Sequence, residues 1–355
     1  MSRRTIVVVG ASAGGVEALI SLARALPGDV HAAFLAVLHV PPHGNSGLAR
    51  LLDRAGPLPA ALAEEGERIV AGRWYVARPD HHLLIAREGT VHLGRGPTEN
   101  GHRPAIDALF RSAAHAFGSS VIGVVLSGSL DDGTAGLLTI KLVGGLAMAQ
   151  DPEEAVYPSM PQSAIVNVAV DHVGTVVELA ATIVRLVKES AAPPKPIMDA
   201  VRQNAGNETR IAEDGVAAID EEQRRGVPSA FACPDCNGVL WEVREGELVR
   251  FRCRVGHAYL PQALSVAQSD RLEESLWIAL RTLKESNALS QRLAVRATER
   301  GMSHVAAAYE VRALEAEQRA AVIEDVLKRG RLSAGVEDMI PADAHQISSR
   351  KVGSR

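Results

Sequence analysis

A chain of 355 residues, 46% of them hydrophobic, is long enough for two or three domains and ordinary for a globular protein. Its formal net charge of −4 argues against a broadly basic nucleic-acid surface, and no apolar run approaches the ~18 residues of a membrane helix, so membrane insertion is not expected. The three cysteines all fall between 233 and 253, an odd, clustered set that argues against a disulfide framework and suits a reducing, cytoplasmic setting.

The chain opens on Thr5-Ile6-Val7-Val8-Val9, which runs straight into a glycine-rich turn and therefore reads as a strand rather than a secretory leader. Four segments read as strands buried on both faces: Ile6–Gly10, Phe34–His39, Val121–Ser127 and Leu146–Gln150. Helical patterns lie near 15–26, 104–117 and 134–143, and 172–190 reads as a closing helix. This order predicts an α/β fold, a doubly wound and mostly parallel sheet with helices on both faces, over residues 1–190. Ala191-Ala192-Pro193-Pro194-Lys195-Pro196 then signals a stiff, extended segment, and 191–228 reads as a polar linker that allows at most a short helix. A cysteine module is expected over 229–262, a helical hairpin or coiled coil over 269–329, and a disordered tail over 330–355. Leu272, Leu276, Leu280 and Leu283 share one helical face, and Gly301 breaks the pattern in two.

The chemistry of the first domain starts at Val9-Gly10-Ala11-Ser12-Ala13-Gly14-Gly15. A strand entering a small-residue turn puts the Ser12 hydroxyl at the carboxyl end of a parallel sheet, where open α/β folds bind ligands. Free amides at a helix start suit a developing negative charge. Alone, such a turn serves equally as a structural or phosphate-binding element. The spacing is neither the dinucleotide fingerprint nor the G-x-S-x-G elbow, which excludes a nucleotide-binding Rossmann reading. A nucleophilic serine needs a base and a group that orients it. His39 ends the second strand, although it also reads as a strand cap. Asp131 and Asp132 follow the strand that ends at Ser127, although either also suits a helix N-cap. Three strands thus deliver Ser, His and Asp to one rim.

These segments resemble the catalytic domain of the chemotaxis receptor methylesterases, the CheB family. The similar motifs are Gly10–Gly15, His39 with its two following prolines, Gly72–Asp80, His102–Phe110, Gly128–Gly133 and Ala149–Pro161. The resemblance implies Ser12 as nucleophile, His39 as general base and Asp132 as the carboxylate that orients it. It implies oxyanion or cleft roles for Ala13, Ser129 and Arg103, and no cofactor for catalysis. The implied activity is hydrolysis of glutamyl methyl esters on chemoreceptor-like proteins, with deamidation of glutamine by the same route. Departures are Ala13 where the family often has Thr, Gly128-Ser129-Leu130 where Gly-Met-Gly is usual, and Ala105 where serine is common. The family usually carries an N-terminal receiver domain, whereas this sequence opens on the catalytic domain. Its control is therefore expected in residues 191–355 or in a partner.

Cys233-Pro234-Asp235-Cys236 and Cys253-Arg254-Val255-Gly256-His257 form a C-x2-C and C-x3-H pair separated by 16 residues, close to zinc-ribbon spacing. Cys233, Cys236, Cys253 and His257 are expected to hold a structural zinc, with a hairpin around Glu245-Gly246 between the two pairs. Arg250, Arg252 and Arg254 make a small basic edge, too little for nucleic-acid binding. The expected partner is a methylated chemoreceptor, and the C-terminal helices suit a second copy, a sensory partner or packing against the esterase itself. The alternative is a non-catalytic adaptor that uses the esterase fold and zinc module for assembly in a sensory complex.

Overall fold

The computed structural model describes residues 5–42, 47–189, 199–214 and 226–329. Strand β1 (Thr5–Ala11) sends Ile6 and Val8 into one hydrophobic cluster and Val7, Val9 and Ala11 into another. Both faces of the strand are covered, which is why its sequence is continuously apolar. There follow α1 (Gly15–Ala25), β2 (Ala32–Leu38), α2 (Leu48–Ala55), β3 (Ala60–Leu62) and β4 (Arg73–Val76). The antiparallel hairpin of β5 (His82–Ile85) and β6 (Val91–Gly94) leads to α3 (Ile106–Phe117) and β7 (Val121–Val125). The domain closes with α4 (Thr134–Leu142), β8 (Leu146–Gln150), α5 (Ser159–Asn167), β9 (His172–Gly174) and α6 (Val176–Glu189).

Seven strands form a parallel sheet in the order β3-β4-β2-β1-β7-β8-β9. Leu19 and Leu22 of α1, Leu52 of α2 and Ile183 of α6 cover one face; Phe110 of α3, Leu137 of α4 and Met160 of α5 cover the other. Each such side chain contributes about 1.5–3 kcal/mol by leaving water. The segment 172–190 is not one helix, because His172–Gly174 first adds an edge strand to β8.

The larger difference lies beyond residue 190. Residues 199–214, expected in a linker, form helix α7 (Asp199–Asp214), which packs against α3. Among the α7 side chains described, the buried ones are Ala205, Thr209, Ile211 and Ala212, one large apolar residue among small ones, and Gly206 rides against the His115 ring. A helix that packs through small side chains leaves little hydrophobic periodicity to read. The rest of that expected linker up to residue 225, and the expected tail at 330–355, lie outside the described residues.

Strands β10 (Val227–Ala232), β11 (Val239–Glu245), β12 (Leu248–Cys253) and β13 (Ala258–Tyr259) form a four-stranded antiparallel sheet in that order. Gly246, at φ 66°, turns β11 into β12. This sheet and α7 belong to the same compact unit, Met1–Leu264, as the parallel sheet, rather than standing beyond a linker. Buried ion pairs join them. Glu208 of α7 meets Arg250 at 3.0 Å and also Arg252, while Arg111 of α3 pairs with Glu99. Arg250 and Arg252 are therefore anchors inside the fold and not a basic edge.

Helix α8 (Pro261–Glu299) starts eight residues before the expected boundary, and α9 (Ser303–Arg329) follows a break at Gly301, φ 71°. The second unit, Ser265–Arg355, has a seam of Leu280, Ala294, Ala297, Ala306, Ala313, Ala316 and Ala320. Of the four predicted leucines only Leu280 is buried and Leu272 is exposed, because alanines let the two helices approach closely. No helix among the described residues is long and apolar enough to cross a membrane.

Candidate active site

The central position of β1 decides the geometry. Its carboxyl end pairs with β2 through Ala11↔Leu38 and with β7 through Gly10↔Val125. The next residues, Ser12, His39 and the 126–133 turn, therefore emerge side by side at a topological switch point. The Ser12 hydroxyl donates to His39 Nδ1 at 3.1 Å, and His39 Nε2–H donates to Asp132 Oδ2 at 2.8 Å.

Asp132 is enclosed by donors. Its Oδ2 also accepts from the Ile106 amide at 2.8 Å; its Oδ1 accepts from Asn100 Nδ2 at 2.9 Å and from the amides of Asp107 and Gly133 at 3.2 and 2.9 Å. Ile106 and Asp107 open α3, so the carboxylate sits at a helix start. Burial opposes its charge, but the bond and charge of His39, the charge of His102 and the Ile106 amide outweigh that. The carboxyl is held well below the usual range.

Around this row, the Ser12 amide donates to Ser127 O at 3.0 Å. The Ser127 hydroxyl donates to Ala13 O at 2.8 Å and accepts from the Tyr157 amide at 3.0 Å, tying the Ser12 turn to the 151–158 loop. Gly14 is left-handed at φ 68° and starts α1. Gly128 is needed for close approach: a Cβ there would lie 2.1 Å from the Met160 sulfur and 2.9 Å from Ser12 Cβ. Leu130 adopts φ 67°, a conformation natural to glycine, at the position where the resembling family has one.

Arg103 is a brace. Its guanidinium donates twice to Asp80 Oδ1, at 2.9 and 2.6 Å, and to the Gly96 carbonyl at 2.7 Å. Its bond to Asp80, with that of Arg95, holds the Asp80 carboxyl below its ordinary value despite the opposing effect of burial.

Sequence reasoning passed over three residues. Asn100 and His102 touch the triad from the 95–103 loop; His102 stacks on His39, with 3.6 Å between ring centroids. Burial, and then the charge of His39, push the His102 imidazole down to about 4. Asp107, beside Asp132, is raised to about 8 by burial and then by that neighbouring charge. The left-handed pair Asn100, φ 52°, and Gly101, φ 78°, was the one signal available: an Asn-Gly turn immediately before the matched motif that starts at His102.

The donors of Cys233, Cys236, Cys253 and His257 lie within 4.8 Å of one another. The separations are 3.6 Å for Cys236 Sγ–Cys253 Sγ, 3.6 Å for Cys233 Sγ–His257 Nδ1 and 3.5 Å for Cys253 Sγ–His257 Nδ1. A tetrahedral shell with metal–sulfur bonds of about 2.3 Å and metal–nitrogen bonds of about 2.0 Å has edges of roughly 3.5–3.8 Å, so this donor set fits a zinc-sized ion.

A family model described as CheB methylesterase matches residues 7–183. A Leptospira interrogans protein named putative protein-glutamate methylesterase/protein-glutamine glutaminase is 37% identical over 180 residues, which cover 51% of this chain and 93% of that protein. This chain belongs to the CheB methylesterase family. The catalytic domain of Thermotoga maritima CheB methylesterase has a solved structure that covers 52% of this chain and 98% of its own, with a TM-score of 0.50 and 34% identity. The protein-glutamate methylesterase/protein-glutamine glutaminase of Paraburkholderia xenovorans is 38% identical over 182 residues, 50% of each chain. This CheB-family chain thus spans about half the length of several curated relatives it matches. The match ends before α7, so the antiparallel sheet and the Cys3His set lie outside the shared domain.

Proposed function

We propose that this chain is a serine hydrolase that removes methyl esters from glutamate side chains of chemoreceptor-like signalling proteins. The observation that carries the reading is the hydrogen-bonded row from the Ser12 hydroxyl through His39 to Asp132. Ser12 is the nucleophile, His39 the general base and Asp132 the carboxylate that fixes the tautomer and holds the imidazolium.

As Ser12 Oγ attacks the ester carbonyl, its proton passes to His39 Nδ1. The Ala13 and Ser129 amides, the oxyanion donors that the family resemblance offers, stabilise the charge that grows on the carbonyl oxygen. His39 then returns the proton to the leaving methoxide and methanol departs. Water, deprotonated by His39, hydrolyses the acyl-serine and leaves a glutamate carboxyl. Glutamine enters the same cycle with ammonia as the leaving group. His102 covers one face of the His39 ring and limits its freedom to turn.

The Cys233, Cys236, Cys253 and His257 set is read as a closed structural zinc site, because four protein ligands leave no open position for substrate. Its reduced thiols suit a cytoplasmic setting. The exposed Leu272, Trp277 and Ile278 of α8 make a second copy of the chain a further partner.

Methanol release from a methylated receptor is the test, with Ser12→Ala beside the wild type. The wild type turns over and the variant falls to background. Two proteins equally active, or equally inert, overturn the assignment. Zinc analysis of wild type and Cys236→Ser tests the metal, with bound zinc lost in the variant.

A further inference from the structure

We propose that Asn100 is a positioning residue for the esterase triad and that the metal-loaded Cys3His module holds it in place, so that metal occupancy sets the turnover of Ser12. This rests on the esterase reading above.

The 95–103 loop lies between the triad and the Cys3His turn, and it is fastened to both. On the triad side, Asn100 Nδ2 donates to Asp132 Oδ1 at 2.9 Å and to Asp107 Oδ2 at 3.1 Å, and His102 stacks on His39. On the module side, the Asn100 side-chain oxygen accepts from the Leu260 amide at 2.8 Å, and the Asn100 amide donates to Ala258 O at 2.7 Å. The Ala258 amide donates in turn to Thr98 O at 3.3 Å. Both ends of the Asn100 amide group are thus committed, one to the catalytic carboxylate and one to the chain that leaves the metal turn.

That chain is short. Ala258 directly follows the ligand His257, and Leu260 is two residues further on. A second fastening comes from the other ligand pair. Asp235, between Cys233 and Cys236, accepts from the Thr98 hydroxyl at 2.9 Å and from the Tyr259 hydroxyl at 2.7 Å. Gly256, at φ 110°, brings the turn against Pro97, where a Cβ would stand 2.9 Å from the ring. Finally, the Gln262 amide at the start of α8 donates to Asp131, the residue next to Asp132.

The turn is a run of short loops, and the buried apolar residues beside it, Ala258, Tyr259 and Leu260, lie beyond the ligand His257. Four donors converging within 4.8 Å give it one shape only while an ion joins them. Without the ion, β13 loses its fixed end, and with it the Ala258 carbonyl and the Leu260 amide that hold Asn100. Asp132 keeps its backbone amides but loses the side-chain donor that sets its rotation toward His39. A misplacement of about 1 Å at a catalytic group costs on the order of 100-fold in rate.

The experiment is a two-by-two cycle on the full chain: wild type and Asn100→Ala, each stripped of metal and each reloaded with Zn2+ alone. Methanol release gives kcat and KM. The downfield His39 N–H proton resonance reports the bond to Asp132 independently of turnover. We expect stripping to lower wild-type kcat by about 10-fold or more with KM changed less than about twofold, to broaden or shift that resonance, and to be reversed by Zn2+. Asn100→Ala reproduces the loss, and stripping it adds less than about twofold. Stripped wild type with full kcat and an unchanged resonance overturns the proposal. So does stripping that multiplies the Asn100→Ala loss in full, which makes the module independent of Asn100. Should Asn100→Ala fail to fold, the reversible metal arm on unmodified protein still decides. Ser12→Ala runs beside the cycle: if it retains activity, the esterase reading fails, whereas an inert Ser12→Ala with metal-independent wild type fails this inference alone.

Discussion

Replacing Asp132 by Asn changes one oxygen for an NH2 group inside a shell made entirely of donors. If the NH2 takes the Oδ1 place it faces Asn100 Nδ2 and the Asp107 and Gly133 amides; in the Oδ2 place it faces only the Ile106 amide and His39 Nε2. The second orientation strands fewer donors and is the one expected. It leaves the buried Ile106 amide unpaired, a cost of about 1–3 kcal/mol, which lowers the melting temperature by roughly 2–12 °C. It also makes His39 accept at Nε2, so its proton moves to Nδ1 and points at Ser12. The base is then blocked by its own proton. An equivalent tautomer error in serine proteases costs on the order of 10⁴ in kcat, and that is the loss expected in methanol release. The sign with pH follows from the lowered carboxyl of Asp132. Its stabilisation is present above the ordinary value of 3.8 and is lost as pH falls through the folded-state value, so the gap between wild type and Asp132→Asn closes in acid. Activity within about tenfold of wild type, with the variant folded, would refute the tautomer argument.

Four further outcomes follow from contacts in the same unit. Gly128→Ala drives a methyl into Met160 and Ser12 Cβ, so kcat should fall more than the melting temperature does, measured by methanol release beside a thermal melt. Leu130→Gly relieves a left-handed leucine and should stabilise the fold by about 1 kcal/mol in denaturant titration; an unchanged or lowered midpoint would count against it. Glu208→Ala removes the carboxylate shared by Arg250 and Arg252; with Glu208 only 20% exposed, a loss of about 3 kcal/mol is expected by chemical denaturation. Burial raises Asp131 to about 7 against the opposing Gln262 amide bond, so its contribution is full below 3.8 and declines as pH rises toward 7. Asp131→Asn should therefore gain on wild type across that window by up to about 1.4 kcal/mol per pH unit, and parallel melting curves would count against it.

The sequence by itself determined the three strand ends. Runs as apolar as Thr5–Val9 and Ala32–Leu38 pack only between two helical layers, and right-handed crossovers then put their carboxyl ends on one rim. The placing of Ser12, His39 and Asp132 together was legible for that reason, as were the Gly301 break and the convergence of Cys233, Cys236, Cys253 and His257, whose spacing is local. Tertiary structure alone decided the rest. Arg103 is held by Asp80, which lies within reach only after β4 and β5 are placed. Arg250 and Arg252 lost their outward role because α7, with its alanine and glycine face, brings Glu208 to them. Asn100 meets Leu260 across 160 residues of chain, and no local pattern records such a contact. Periodicity and spacing report what a segment does with its own neighbours. What stands on the far side of the Asp132 carboxylate is settled only by which surfaces are left to pack together.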